Sequence, residues 1–389
     1  MAAAPVIVVG AGIGGLAAAI ALTRAGRRVL TLERAEKIEE VGAGLQISPN
    51  AGRVLQEFGL SPALEKIALE PHALDIRRAA DGATLARLPL AAARSRWGAP
   101  FRVFHRADLQ NALLEKALSL GATVRTGVRC SGFSQDEDGV RLIVHSESGE
   151  ETLDAEAVIG ADGLRSSIRS GLRLCENDEP IDLGLTAWRA LFPIETAPAS
   201  LRERATHLWL GPGAHIVHYP LRDASIVSAV AIIEGATAPA ESLNGEELAR
   251  AIGFERWNAD LRALIEAAPA WRRWPLFGRP ELVRWSRGRV TLLGDAAHPM
   301  TPFLAQGAAQ AIEDAAALGR AFEPGGQSVE AALDAYQAAR TQRAIKIQRG
   351  SRRQGFYFHM SGPAAVARDL AIRALGGAGM LARNAWLYR

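Results

Sequence analysis

An α/β fold is expected of this chain: a parallel, doubly wound sheet, interrupted by a second domain on an antiparallel sheet and followed by C-terminal helices. Three features of its 389 residues carry that expectation. The first 34 residues alternate strand, turn, helix and strand, the βαβ pattern of a parallel sheet. Between Leu183 and Ile233 four strand-like runs (Thr186–Phe192, Thr206–Leu210, His215–Tyr219 and Ser225–Ile233) succeed one another across Pro/Gly turns, as in an antiparallel sheet. From Gln306 to Phe322, and from Val329 onward, the pattern is helical.

Pro5-Val6-Ile7-Val8-Val9 is a β-branched apolar run suited to a strand buried on both faces. Gly10-Ala11-Gly12-Ile13-Gly14-Gly15 follows at once and fits G-x-G-x-x-G at 10, 12 and 15. Leu16 to Ala25 is Ala/Leu-rich and helical, Gly26 can cap it, and Arg28 to Leu32 returns as a strand ending at Glu33. This is the Rossmann-like setting in which the motif binds a dinucleotide. Gly10 permits the tight turn, Gly12 lets the backbone approach a pyrophosphate, and Gly15 lets helix and strand pack closely. Free N–H groups and the positive dipole end of the helix then face the phosphates. Glu33 comes 18 residues after Gly15 and 23 after Gly10. That brackets the spacing of about 20 for the acid that holds an adenosine ribose. An acid there favours an unphosphorylated ribose, as in FAD or NAD. Val6 to Leu22 is also 17 residues without charge, but no basic residue precedes it and four glycines interrupt it. It is short for a membrane span.

Length and a 48% hydrophobic content allow two or three domains with a sizeable core. Lys and Arg number 45 against 42 acids, and a net charge of +3 gives little reason to expect nucleic acid. Cys130 and Cys175 form no C-x-x-C and are expected as reduced, buried thiols of a cytoplasmic protein, with no metal site. No membrane span and no repeat at solenoid spacing is read.

Further along, Gly42-Ala43-Gly44 suggests a close backbone approach to a ligand, although turn chemistry explains it almost as well. Pro49-Asn50 opens a helix through Phe58. Leu74 to Leu90 reads as two strands around Asp81-Gly82, and Ala91 to Pro100 as a loop. Arg106 to Leu120 is helical, and strands follow at Gly121–Val124 and across Val128–Val144, with Asp138-Gly139 as a turn. Ala157–Gly160 is a buried strand running into Ala161-Asp162-Gly163, and Ser166 starts a short helix. Gly245 to Ala267 is mostly helical. Arg289–Leu293 is another buried strand, ended by Gly294-Asp295. Gly376-Gly377-Ala378-Gly379 is a helix break. The expected division is a discontinuous nucleotide domain (1–71, 101–175 and 281–345), a substrate domain (72–100 and 176–280) and a C-terminal helical segment (346–389).

Three distant strand ends thus carry small or acidic residues: Gly10-Ala11-Gly12, Asp162-Gly163 and Gly294-Asp295. Ligands of doubly wound sheets lie beyond such ends. One ligand touching all three needs phosphates, a hydroxylated chain and a ring system, which FAD supplies better than NAD.

At this point a family resemblance emerges. It is carried, in order, by Val9–Leu16, His105-Arg106-Ala107-Asp108-Leu109, Gly160-Ala161-Asp162-Gly163-Leu164-Arg165-Ser166 and Gly294-Asp295-Ala296-Ala297-His298-Pro299. Over essentially its whole length the chain resembles the class A flavoprotein monooxygenases, typified by salicylate and para-hydroxybenzoate hydroxylases. Gly42–Ala51 and Pro302–Gly307 look closest to the salicylate-hydroxylase branch.

The resemblance implies that Glu33 holds the adenosine ribose, with Gly10, Gly12, Gly14, Gly15, Arg34 and Gln46 also at the cofactor. Arg106 would contact the ribityl-phosphate region, and Asp162 with Gly163 would serve FAD and the nicotinamide cofactor. Asp295, beside Gly294, would bind the ribityl chain, and Pro299 would lie against the isoalloxazine. Gly307 and Ala308 open a helix whose N–H groups and dipole would favour an anionic flavin edge. For a proton acceptor, His215-Ile216-Val217-His218-Tyr219 offers candidates; His215, Val217 and Tyr219 share one strand face and His218 the other. Related hydroxylases favour His215 and Tyr219, while His298 is weaker because it can merely shape its loop. The implied activity is hydroxylation of a small phenolic or hydroxy-heteroaromatic acid. NADH or NADPH would reduce FAD, and O2 would form a C4a-hydroperoxide that delivers its distal oxygen. A purine, quinolone or polyketide substrate, or a non-catalytic nucleotide-binding role, is the alternative. A homodimer is the candidate assembly. Arg340, Arg343, Lys346, Arg349 and Arg352 recur every three residues: a basic helix face could bind nucleic acid or anionic lipid, but a solvated face or one paired with acids is the preferred reading.

Overall fold

The computed structural model describes residues 4–38, 44–235, 241–251, 253 and 257–389. Gly42 and Ala43 of the second glycine-rich stretch lie outside them, and Gly44 begins the strand Gly44–Ile47.

The parallel sheet forms as expected, because its strands are short apolar runs that can be buried on both faces. Six strands lie in the order Ser286–Arg287, Val290–Leu292, Ala157–Gly160, Val6–Val9, Val29–Leu32 and Thr123–Arg125. All pairs are parallel except Ser286–Arg287 with Val290–Leu292. Register matters for function: Val9 lies opposite Gly160, and Gly160 opposite Leu292. Gly10, Asp162 and Asp295 therefore leave the sheet at one edge. The helix Ile13–Arg24 is buried nearly all round, since the helices Arg106–Ser119 and Gly307–Ala321 pack on the sides that the sheet leaves open.

A second sheet has eight strands and is antiparallel except at one junction, where Ala205–Gly211 runs parallel to Ala73–Arg78. The hairpin Ala73–Arg78 with Thr84–Pro89 forms one edge of it. Its core strands, Ile181–Pro193, Ile226–Glu234 and Ala214–Leu221, are longer than their apolar cores suggest. Among the strands that a reading of pattern misses, two have a clear physical reason. Trp271–Gly278 contains Pro275, but it borders only Ser242–Leu243 on its outer side, opposite Trp271 and Arg272, and an edge tolerates proline. Gly149–Ala155 is mostly polar because it closes the exposed meander Arg129–Gln135, Val140–Ser146, Gly149–Ala155. Ala93–Trp97 is a short helix where a loop is expected.

The last third is helical. Val329–Phe358 runs unbroken through residues 345 and 346, and Gly362–Tyr388 is interrupted at Gly376 (φ 60°), the expected break. Among the described residues no helix is long and apolar enough to cross a membrane. The basic row is mostly paired: Arg340 and Arg343 bind Glu313, Lys346 sits over Trp386, and Arg349 and Arg352 bind Glu281. Cys130 is buried as expected, whereas Cys175 is exposed, because it follows the helix Ser167–Leu172 on a surface turn.

Candidate active site

One cavity of about 1010 Å³ lies where the carboxyl ends of the parallel strands face the second sheet. Gly10, Gly12, Gly14, Glu33, Arg34, Gln46, Arg106, Asp162, Gly163, Gly294, Asp295, Gly307 and Ala308 line it, together with His215 and Tyr219. Gly15 and Pro299 do not. Gly15 sits behind the loop, where an added Cβ would stand 1.9 Å from the Gly10 carbonyl oxygen. Pro299 is buried, its carbonyl accepting from Gln348 Nε2 at 3.0 Å, and its neighbours Met300, Thr301 and Pro302 reach the wall instead.

The glycine loop shows the division of labour that nucleotide binding needs. Gly10 has φ 108°, a conformation that side chains rarely adopt, and a Cβ would strike the Ala161 carbonyl. A Cβ on Gly12 would meet nothing within 4 Å, so this backbone is open to an incoming group. Glu33 Oε2 accepts from Ala11 N at 2.8 Å and Oε1 from Ala35 N at 3.0 Å, which holds the acid beside the loop. Asp162 caps the helix Ser167–Leu172 with Oδ2, accepting from Ser167 N at 2.7 Å, while its Oδ1 is buried without a partner. Six cations (Arg34, Lys37, Arg106, Arg129, Arg165, Arg189) line the cavity against three carboxylates (Glu33, Asp162, Asp295). An orphaned acceptor, an open loop and that excess of positive charge suit a long ligand with phosphates and hydroxyls; FAD fits.

Asp295 is accessible from within the cavity, yet protein surrounds it. Burial pushes its carboxyl up from the usual range, and His298 and Arg106 oppose that rise. His298 is structural: its Nε2 is 2.6 Å from Asp314 Oδ2, and its ring packs on Trp285. Burial alone would raise Asp314, but the charges of His298 and Arg340, and bonds from both, hold it down at about 2. The acid also accepts from Gly294 N at 3.1 Å, fixing the turn that presents Asp295.

On the opposite wall, the strand Ala214–Leu221 places His215, Val217 and Tyr219 towards the cavity. Burial lowers the His215 pKa well below 6.5, aided by His359, so the ring is neutral. Its Nδ1 is 2.8 Å from His359 Nε2. Burial lifts the Tyr219 phenol to about 12, against a hydrogen bond with Ser228 and the charge of Arg189. A mostly apolar chamber of about 150 Å³ adjoins this wall, bounded by His215, Val217, Leu208, Phe303 and Phe358.

Arg189 went unnoticed in the sequence. It lies on Ile181–Pro193, half-buried, beside Tyr219 and over the Trp274 ring at 5.2 Å. Among the described residues no carboxylate pairs with it, its Nε is unbonded, and burial pulls its pKa down. The signal was a single cation in the otherwise apolar run Thr186–Phe192.

A family model described as an FAD binding domain matches residues 3–351. The chain is 39% identical to the 3-amino-4-hydroxybenzoate 2-monooxygenase PtnB3 of Streptomyces platensis, over 98% of this chain and 95% of that protein. It is 35% identical to the 3-hydroxybenzoate 6-hydroxylase of Polaromonas naphthalenivorans, over 94% of this chain and 90% of the other. Klebsiella pneumoniae HpxO, solved with FAD and uric acid, superposes with a TM-score of 0.86 at 25% identity, covering 97% of this chain and 95% of that one. The chain belongs to this FAD-binding family and is a class A FAD-dependent aromatic monooxygenase.

Proposed function

We propose that the enzyme hydroxylates a small aromatic carboxylic acid bearing a ring hydroxyl, with NADH or NADPH and O2. Bound FAD would supply hydride acceptance and oxygen activation. Glu33, the Gly10–Gly15 loop, Arg106, Asp162 and Asp295 would hold that cofactor. The residues of the facing strands then position the substrate. Arg189 is the observation that carries the reading. A half-buried guanidinium without an acidic partner is costly, and a carboxylate from the substrate would satisfy it as a charge-assisted bond. His215, neutral and on the cavity wall, accepts the proton of the ring hydroxyl, which makes the neighbouring carbon more nucleophilic. Tyr219 stays protonated and donates a hydrogen bond. The apolar wall excludes water around the reacting ring.

The relatives named for hydroxybenzoates support this substrate class, and the uric acid of HpxO marks a purine as the rival. The test is substrate-stimulated NADH oxidation with product analysis, across hydroxybenzoates, their carboxamides and purines. Hydroxybenzoates should stimulate most. Arg189→Met should weaken them by on the order of 10- to 100-fold, the worth of a charged hydrogen bond, while leaving the carboxamides little changed. Equal stimulation by acid and amide, or preference for uric acid, would overturn the reading.

A further inference from the structure

We infer that His359 and Glu234 continue the active site outward as a proton relay, carrying the substrate's ring-hydroxyl proton from His215 to solvent. The inference rests on the phenolic substrate proposed above and adds two residues that lie outside the cavity wall. His215 Nδ1 stands 2.8 Å from His359 Nε2, and His359 Nδ1 stands 2.8 Å from Glu234 Oε1. His215 is 2% exposed and His359 7%, whereas the Glu234 side chain is 54% exposed. Two hydrogen bonds therefore connect the buried ring of His215 on the cavity wall with bulk water.

The chain of bonds has one polarity that satisfies every atom. An ionised Glu234 can only accept, so His359 carries its proton on Nδ1 and leaves Nε2 bare. His215 must then donate from Nδ1 to that bare nitrogen, which leaves its own Nε2 as the acceptor available to the cavity. A carboxylate that fixes the tautomer of one ring, and through it the next, follows the logic of second-shell partners at histidine sites. In the transfer, the substrate O–H bond breaks and an N–H bond forms at His215 Nε2. The Nδ1 proton of His215 passes to His359 Nε2, and the Nδ1 proton of His359 passes to Glu234 and on to water. No electron leaves the substrate: a phenol becomes a phenolate, and solvent gains one proton. Reprotonation of the product oxygen runs the chain backwards and restores both tautomers.

The surroundings hold this line of atoms straight. The His359 carbonyl accepts from Gly213 N at 3.1 Å, and Glu234 N donates to the Gly213 carbonyl at 2.9 Å, so one turn clamps both outer members. The rings of Phe303 and Phe358 lie 5.4 and 5.1 Å from that of His215 and keep water from short-circuiting it. The charged groups facing His359 are Glu234 from the second sheet and Arg368 from the C-terminal helix. Arg368 is itself bound to Asp369 and to the Tyr357 and Phe358 carbonyls. Burial lowers the His359 pKa, with Arg368 adding to the fall and Glu234 working against it, so the ring rests neutral with its Nδ1 proton directed at Glu234.

The test reads proton transfer without turnover. FAD-loaded enzyme, without reductant or oxygen, is mixed in stopped flow with 3-hydroxybenzoate or 3-amino-4-hydroxybenzoate, and phenolate formation is followed by ultraviolet absorbance. Wild type should ionise at least one probe. His359→Gln should slow that step by at least about ten-fold, within the range of a lost acid–base group, while benzoate affinity is unchanged. Glu234→Gln, on the surface and safe for folding, should slow it less, and added imidazole should rescue His359→Ala. Wild-type ionisation rates in both His359→Gln and Glu234→Gln would overturn the relay. Wild type that binds the probes without ionising either would instead overturn the phenolic reading, and the relay with it.

Discussion

His215 and His218 stand three residues apart on one strand, both buried, and both are held neutral by burial and a neighbouring histidine. Their surroundings differ completely. His215 faces the cavity and is bonded through His359 to the surface. His218 faces the other way, stacked on His207 at 4.6 Å and near Trp209, with its Nε2 unbonded. Beyond His207 lie Asp75 and Glu203, whose oxygens come close enough to suggest a metal. Arg87 already bonds to both and takes the cation's place. A depressed histidine pKa therefore does not mark a reactive group in this fold. What separates the two is a partner on one nitrogen and a cavity beside the other.

The largest expected effect tests that contrast directly. His215→Asn should lower kcat/KM by about 10²- to 10⁴-fold, the usual contribution of a positioned acid–base group. His218→Asn should keep turnover within a few-fold, because it touches neither cavity nor relay. Steady-state kinetics of the two purified variants, with their melting curves, decides it. An equal loss of turnover in a folded His218→Asn protein would dissolve the distinction.

The second effect belongs to the silent side. Burial, followed by the charge of Arg77, holds His207 at about 4, below its ordinary 6.5. A depressed histidine contributes stability that is complete above 6.5 and is lost as pH falls towards 4, because only the unfolded chain binds the proton there. The loss is on the order of 3 kcal/mol. His207→Phe keeps an aromatic ring against His218 and removes the titration. Urea unfolding at neutral pH and near the low end of that window should show a smaller drop for the variant. An equal drop would mean that other groups carry the acid sensitivity.

Legibility in the sequence followed the same divide between local pattern and distant contact. The nucleotide half could be read because its chemistry sits at the ends of continuous apolar strands: Gly10, Asp162 and Asp295 each follow one directly, and parallel register brings the three together. The face of the His215 strand was readable from its two-residue period. The relay was not, since His359 lies 144 residues from His215 and reaches it only at the end of the helix Val329–Phe358. Arg189 was hidden for another reason. Its proposed role rests on the absence of an acidic neighbour, and only packing reveals which charges stay unpaired. Pro299 shows the converse, a motif position that the fold buries one residue short of the wall, with Met300 in its place.

The smallest effect separates the two cavity residues of the strand from each other. Tyr219 also lines the cavity, but burial lifts its phenol to about 12, so it remains a neutral donor at any pH the enzyme tolerates. Its hydroxyl is tied to Ser228, which in turn accepts from Gly44 N at 3.1 Å. An added Cβ on Gly44 would strike both oxygens, at 2.4 Å from Ser228 and 2.6 Å from Tyr219, so the backbone itself closes around this pair. Tyr219→Phe should therefore cost only the hydrogen bond, on the order of 1 kcal/mol or several-fold in kcat/KM. The shape of the pH–rate profile should not change, because no titration in the working range is removed. His215→Asn should instead remove whatever limb falls at low pH, well below 6.5, where the wild-type ring takes up a proton and can no longer accept the substrate's. A Tyr219→Phe profile that loses a limb would transfer the proton-accepting role to the phenol and leave His215 as its support.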